Sequence, residues 1–282
     1  MMISRSRAGN VVLMVFLAVV AVLMALPLVY AVLTALKPMD ELFYYPPRFY
    51  VIRPTLKNFS DLASVLGTST VPFMRYVFNS VLITVIATFG HIICAAMAAY
   101  PLSKNRKLRS KGVKFEIIVL SLMFSGYVLA IPRYLIMNYL HLLNSYWALI
   151  LPAMSGTMGL YLLKNFMEQI PDSMIEAAQI DGAKDMRILW TIVMPMVKPA
   201  WLTLLLLLVQ GIWNDGGSSA LYIYNESLKA MPVLVSYVSA AGFTRTGAAA
   251  AFSLVMMLPP VVVFVVSQSN VIETMKSAGL KE

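Results

Sequence analysis

The chain has 282 residues, 60% of them hydrophobic and only 12% charged, with a net charge of +9 and a mean hydropathy of +0.77. Soluble domains are about a quarter charged, so this composition describes an integral membrane protein. Its basic residues stand in short clusters between apolar runs, the pattern that orients a membrane protein and not one that binds nucleic acid. One cysteine, Cys94, and two histidines, His91 and His141, supply neither a disulfide framework nor a set of metal ligands.

Roughly 20 apolar residues are needed to cross the hydrocarbon core. Six stretches qualify in chain order: residues 11–36, 77–102, 115–137, 146–166, 199–222 and 248–268. The first follows Arg5 and Arg7 as a signal peptide would, but it exceeds the apolar core of about 7–15 residues typical of such peptides, and no small-x-small cleavage site closes it. It is therefore expected to be a retained span. After it, "ELFYYPPRFY" places Phe43, Tyr44, Tyr45, Phe49 and Tyr50 where an aromatic interfacial belt would lie. Pro27, Pro132, Pro152 and the pair Pro259 and Pro260 remove backbone donors inside spans, which predicts that the spans kink or end there. No repeat of 20–50 residues is evident.

Charge sets the orientation. With both termini cytoplasmic, fourteen of the 22 basic residues fall on the inside, six of them in "KNRKLRSKGVK". This places residues 167–198, between the fourth and fifth stretches, in the cytoplasm. That segment is too polar for lipid and too regular for a slack connector. Ser173 and Glu176 form an SxxE pattern, which predicts a capping box and a helix starting near Ser173. Ala177 and Ala178 keep one helix face narrow, and Gly182 permits a turn that a residue with a Cβ resists. Beyond it, Ile188, Leu189, Ile192, Val193 and Met196 recur at helical spacing, which predicts an amphipathic helix returning to the membrane as far as Pro195 and Pro199.

The stretch "EAAQIDGAKDMRILWTIVMP" resembles the EAA loop of bacterial ABC importer permeases. Glu176, Ala177, Ala178, Asp181, Gly182, Ile192 and Pro195 fall on the pattern, with Met194 where leucine is usual. "FNSVLIT", "YLHLLNSYWALILPA" and "GIWND" extend the resemblance to the maltose-type inner-membrane permeases over nearly the whole chain. The fold class this implies is all-α: a polytopic, type I importer-like protein of the bacterial cytoplasmic membrane, with six transmembrane helices and a cytoplasmic coupling-helix loop. The partners implied are a second, related permease subunit, two ATPase subunits holding ATP and magnesium, an extracytoplasmic solute-binding protein and a carbohydrate, with oligosaccharide favoured over amino acids, peptides or polyol phosphates.

By the same resemblance, the helix from Ser173 to Asp181 would sit in a cleft of the ATPase, with Glu176 toward the partner and Gly182 setting the angle to the return helix. Asp181 either caps the turn locally or meets the partner. The chain has no GxxxxGK[ST], so energy must come from another subunit, and no catalytic constellation is evident. A secondary transporter working without ATP is the rival class, but it would give this loop no purpose.

An ionisable residue in a span usually faces a cavity. Asp215, with Trp213 and Asn214 before two glycines, suits a carbohydrate contact; it equally suits an interfacial helix end anchored by tryptophan. Asn79 and Tyr127 are further candidates for the path, beside Thr84, His91, Ser125 and Asn138, for which interhelical hydrogen bonding is the plainer role. The stretch "NESLKAMPVLVSYVSAAGFTR" resembles the loop that maltose-type permeases direct at the binding protein.

Overall fold

The computed structural model describes residues 7–46, 48–67, 71–104, 111–124, 126–240 and 246–279, and among them no β-strand occurs. The chain divides into two compact units, Met1–Pro72 with Leu234–Leu258, and Phe73–Val233 with Pro259–Glu282.

The first unit begins with α1 (Arg7–Leu36), apolar on every side and largely exposed, as a helix surrounded by lipid would be. Short helices α2 (Met39–Leu42) and α3 (Lys57–Gly67) follow. Asn58, buried, donates from Nδ2 to the carbonyls of Ala35 (2.8 Å) and Lys37 (2.7 Å), which lie at the end of α1 where no helical donor remains. The aromatic segment is more than an anchor. The buried Glu41 carboxylate accepts from the backbone N–H groups of Ile52 (3.0 Å) and Arg53 (2.9 Å), and the Arg48 guanidinium lies 4.7 Å from the Tyr44 ring centroid. Tyr45, Phe49 and Tyr50 remain exposed.

The second unit is built around α4 (Phe73–Lys104). It continues through α5 (Lys111–Leu122), α6 (Gly126–Tyr139), α7 (Trp147–Met154), α8 (Thr157–Glu168) and α9 (Asp172–Ile180). After a turn come α10 (Asp185–Ile188), a π-helical turn (Leu189–Val193) and α11 (Met194–Met196), then α12 (Lys198–Trp213) and α13 (Gly216–Tyr222). Of the two later helices, α14 (Val233–Ala240) belongs to the first unit from Leu234 onward, and α15 (Thr246–Gly279) belongs to the first unit as far as Leu258 and to the second beyond it. Small residues on α4, namely Ala95, Ala96 and Ala99, let α8 and α12 approach closely in one apolar cluster with Leu163, Met167, Ala200 and Leu204. A second cluster, nearer the start of α4, joins Ile83 and Ala87 to Ala148, Leu149 and Ile150 of α7 and to Tyr222 and Ile223.

Three helices among the described residues are long and apolar enough to cross a bilayer: Gly9–Leu36, Phe73–Lys104 and Thr246–Gln268. They coincide with the first, second and sixth apolar stretches. The middle three stretches are broken helices. Residues 115–137 divide between α5 and α6, 146–166 between α7 and α8, and 199–222 between α12 and α13. The breaks do not fall at the prolines, since Pro27, Pro132, Pro152, Pro259 and Pro260 all lie inside assigned helices. A proline removes only one ladder donor, so a helix can continue past it. The break between α7 and α8 comes instead at Ser155 and Gly156, where Gly156 is extended (φ −63°, ψ 137°).

Candidate functional site

The segment 172–198 forms a helix, a tight turn and a return segment. The helix α9 starts one residue before the sequence pattern suggests, with Pro171 as its cap residue and no side-chain cap bond, so the expected Ser173 to Glu176 capping box is not the device that starts it. Pro171, in an extended conformation (φ −58°, ψ 133°), sets the entry, and Asp172 brings a carboxylate to the first turn, where it complements the helix dipole. Ser173 is exposed.

The far end of α9 is a Schellman turn. Gly182 N–H donates to the Gln179 carbonyl (3.0 Å) and Ala183 N–H to the Ala178 carbonyl (3.0 Å), with Gly182 in the left-handed region at φ +78°. A Cβ on Gly182 would meet nothing within 4 Å, so the glycine is required by backbone conformation and not by space.

One face of α9 is anchored. Ile175 is buried in the cluster formed by α4, α8 and α12, and Ala178 packs beside it. The rest of the helix faces outward: Met174, Glu176, Ala177 and Ile180 are exposed, Ile180 by 86%, as are Asp181 and Gly182 beyond its end. An exposed isoleucine next to exposed carboxylates and a small alanine gives a surface with an apolar centre and acidic edge. The return segment is held more firmly. Ile188, Leu189, Val193 and Met194 are buried in the same cluster, with Ile192 at its edge and Pro195 exposed. The expected uniform amphipathic helix is interrupted by the π turn, and the segment Asp185–Met196 then meets α12 at 81°. Trp201 braces that bend by donating from Nε1 to the Met194 carbonyl (3.2 Å).

The other group of sequence candidates lies toward the opposite end of α4. Asn79 and Lys104 are separated by about 37 Å along the helix at 1.5 Å per residue, more than the roughly 30 Å of a hydrocarbon core. Asn79 is fully buried. Its Nδ2 donates to the carbonyls of Ser227 and Lys229 (2.9 Å each), and its Oδ1 accepts from the Tyr146 hydroxyl (2.7 Å). Nearby, Ser80 Oγ accepts from Met231 N–H (2.7 Å) and Tyr76 donates to the Glu226 carboxylate (2.8 Å). Residues 226–231 are thus fastened across the start of α4, an arrangement no local sequence pattern announces.

The interruption expected around Asp215 is present. Helix α12 ends at Trp213, which is buried, and Asp215 Oδ1 caps α13 by accepting from Ser218 N–H (2.9 Å). Asn214 is exposed and donates to the Gln210 carbonyl (2.8 Å). Asp215 also borders a cavity of about 30 Å³ with Ser80, Thr84, Ile83 and Ala230, where the buried Thr84 hydroxyl has no hydrogen-bond partner. That volume has room for a water molecule but not for a sugar ring. Ser125, the side chain of Tyr127 and residues 241–245 of the last loop lie outside the described residues. Asn138 is exposed.

Residues 2–276 match the family model for the binding-protein-dependent transport system inner membrane component. The chain belongs to that family. Among the relatives of this permease is Protein LplC of Bacillus subtilis, 35% identical over 79% of this chain and 72% of its own length. The polygalacturonan/rhamnogalacturonan transport system permease protein YtcP of the same organism is 30% identical over 80% of this chain and 76% of its own. Its galactooligosaccharides transport system permease protein GanQ is 27% identical over 94% and 93%. The permease fold is also that of a crystal structure of a bacterial ABC transporter involved in the import of the acidic polysaccharide alginate. The TM-score is 0.77 at 23% identity, covering 94% of this chain and 98% of that one.

Proposed function

We propose that this chain is one of two related permease subunits of an ATP-driven importer for a carbohydrate, most often an oligosaccharide. It has six spans, both termini in the cytoplasm, and α9 seated against a separate ATPase subunit. The observation that carries the coupling role is α9 itself: a helix anchored by one apolar face, closed by a turn that needs Gly182, and presenting Met174, Glu176, Ala177 and Ile180 outward. The substrate class draws on the relatives, whose names specify polygalacturonan or rhamnogalacturonan and galactooligosaccharides. Six spans and the orientation draw on the apolar stretches and the basic clusters, with the three interrupted helices each counted as one crossing.

In this reading ATP and magnesium stay on the ATPase subunits. An extracytoplasmic protein meets the outer face at residues 225–245 and delivers the sugar there, and closure of the ATPases displaces α9, which alternates access between the two permease halves. Tyr127, Trp213, Asn214 and Asp215 are kept as path residues, and Asn79 shapes the path through the loop it holds. The test is purification of this chain with its candidate ATPase: a Glu176→Arg variant that still inserts but loses the ATPase supports the docking role, and undiminished retention together with normal uptake sinks it.

A further inference from the structure

The end of α4 and the start of α9 are joined by a single buried cation. Lys104, the last residue of α4, has a side chain only 4% exposed. Its ammonium donates to the carbonyls of Glu168 (3.4 Å) and Ile170 and to Asp172 Oδ1 (2.9 Å), so all three of its N–H groups are engaged. The two carbonyls lie just at and past the end of α8, where helical donors run out and negative potential gathers. Asp172 is the first residue of α9 and is 46% exposed. The side chain of Glu168 is occupied separately, by Lys164 at 2.9 Å.

Burial of Ile175 holds α9 against the bundle, but apolar contact has no direction and lets a helix slide. A desolvated charge held by three oxygens does have direction, and losing its partners is costly. On the reading that α9 docks on an ATPase, we infer that Lys104 is the positioning residue that makes α4 and α9 move as one body. A push on α9 then reaches α4, and through it α7, α8 and α12, which pack on α4. Neither the capping pattern nor the EAA pattern includes Lys104; it lies 68 residues before Asp172 in sequence.

The experiment reconstitutes the assembled complex with its binding protein in proteoliposomes and measures solute imported per ATP hydrolysed. Lys104→Met keeps length and apolar bulk but removes the charge. It is expected to lower the import-to-hydrolysis ratio about tenfold, an ordinary size for a coupling between sites, while ATP hydrolysis persists; Lys104→Arg restores most of the ratio. Asp172→Asn, at a half-exposed position that leaves both carbonyl contacts in place, gives a smaller drop and serves if Lys104→Met does not assemble. Import and hydrolysis falling together at constant ratio, in either variant, would make Lys104 a folding residue only and overturn the inference, as would an unchanged ratio. Failure of the parent reading looks different: a wild-type complex with no ATP-dependent import overturns both.

Discussion

His91 Nδ1 lies 2.7 Å from the carbonyl oxygen of Ala153, just before the break between α7 and α8, and the same imidazole fills the space that a side chain on Gly159 would occupy. The ring, 2% exposed, therefore supplies a donor to a backbone acceptor at the broken helix while resting on α8. Because a carbonyl oxygen only accepts, the Nδ1 of this ring is the donor, while Nε2 is buried and makes no hydrogen bond. A Cβ on Gly159 would stand 2.3 Å from Nε2 and 2.9 Å from a methyl of Leu204. Gly159→Ala should cost about 1–3 kcal/mol, as overpacking of a tight core does, seen as a lower unfolding midpoint in detergent micelles. Gly211→Ala, in a helix where a Cβ meets nothing within 4 Å, should be neutral or stabilising by up to about 1 kcal/mol.

Asn79→Ala removes the partner of two carbonyls and a tyrosine hydroxyl at a fully buried position. The expected loss is about 2 kcal/mol or more, because unsatisfied buried polar groups keep their desolvation penalty. Protease cleavage within residues 223–231 should accelerate, and the concentration of sugar giving half-maximal uptake should stay unchanged in the protein that folds. A changed half-saturation with unchanged protection would instead make Asn79 a substrate contact.

The sequence was most informative where one chemical property ran uninterrupted. Apolar length alone located α1, α4 and α15, and Gly182 was legible as a turn because an αL position next to a helix end has few other occupants. It was less informative where tertiary partners decide. Pro152 and Gly156 are both visible in the sequence, yet the packing of the His91 ring on Gly156 and Gly159, which leaves no room for a Cβ at either, is a tertiary contact that no local pattern announces. The expected capping box failed for a local reason: Pro171 already sets the entry to α9 and Asp172 takes its first position, leaving Ser173 inside the helix. Asn79 could be singled out as a polar residue in a span, but its three partners lie 67–150 residues away, and no pattern within reach of it names them.

Gly182→Ala should separate backbone conformation from packing. A residue with a Cβ in the left-handed region costs about 1–2 kcal/mol, which the turn can escape only by changing the angle between α9 and the return segment. Retention of the ATPase during purification should fall while global unfolding barely shifts. Gly182→Asn, which tolerates φ near +78°, should retain more of the ATPase than alanine does.

Glu41→Ala exposes the other unit to the same kind of test. It leaves the N–H groups of Ile52 and Arg53 without their carboxylate, and hydrogen bonds to a charged group are worth about 1.5–3 kcal/mol. Limited proteolysis between residues 39 and 56 should quicken, with α4 and its neighbours equally protected in both proteins.

The central claim is that α9 transmits another subunit's ATP cycle to a carbohydrate path. Its most direct measurement is ATP hydrolysis by the reconstituted permease pair, ATPases and binding protein across a panel of oligosaccharides, with wild-type chain and with Gly182→Ala. The account predicts that at least one oligosaccharide stimulates hydrolysis in the wild-type complex and that the glycine variant loses most of that stimulation. Stimulation by a non-carbohydrate solute alone would contradict the substrate class, and full stimulation in the Gly182→Ala complex would contradict the role of α9.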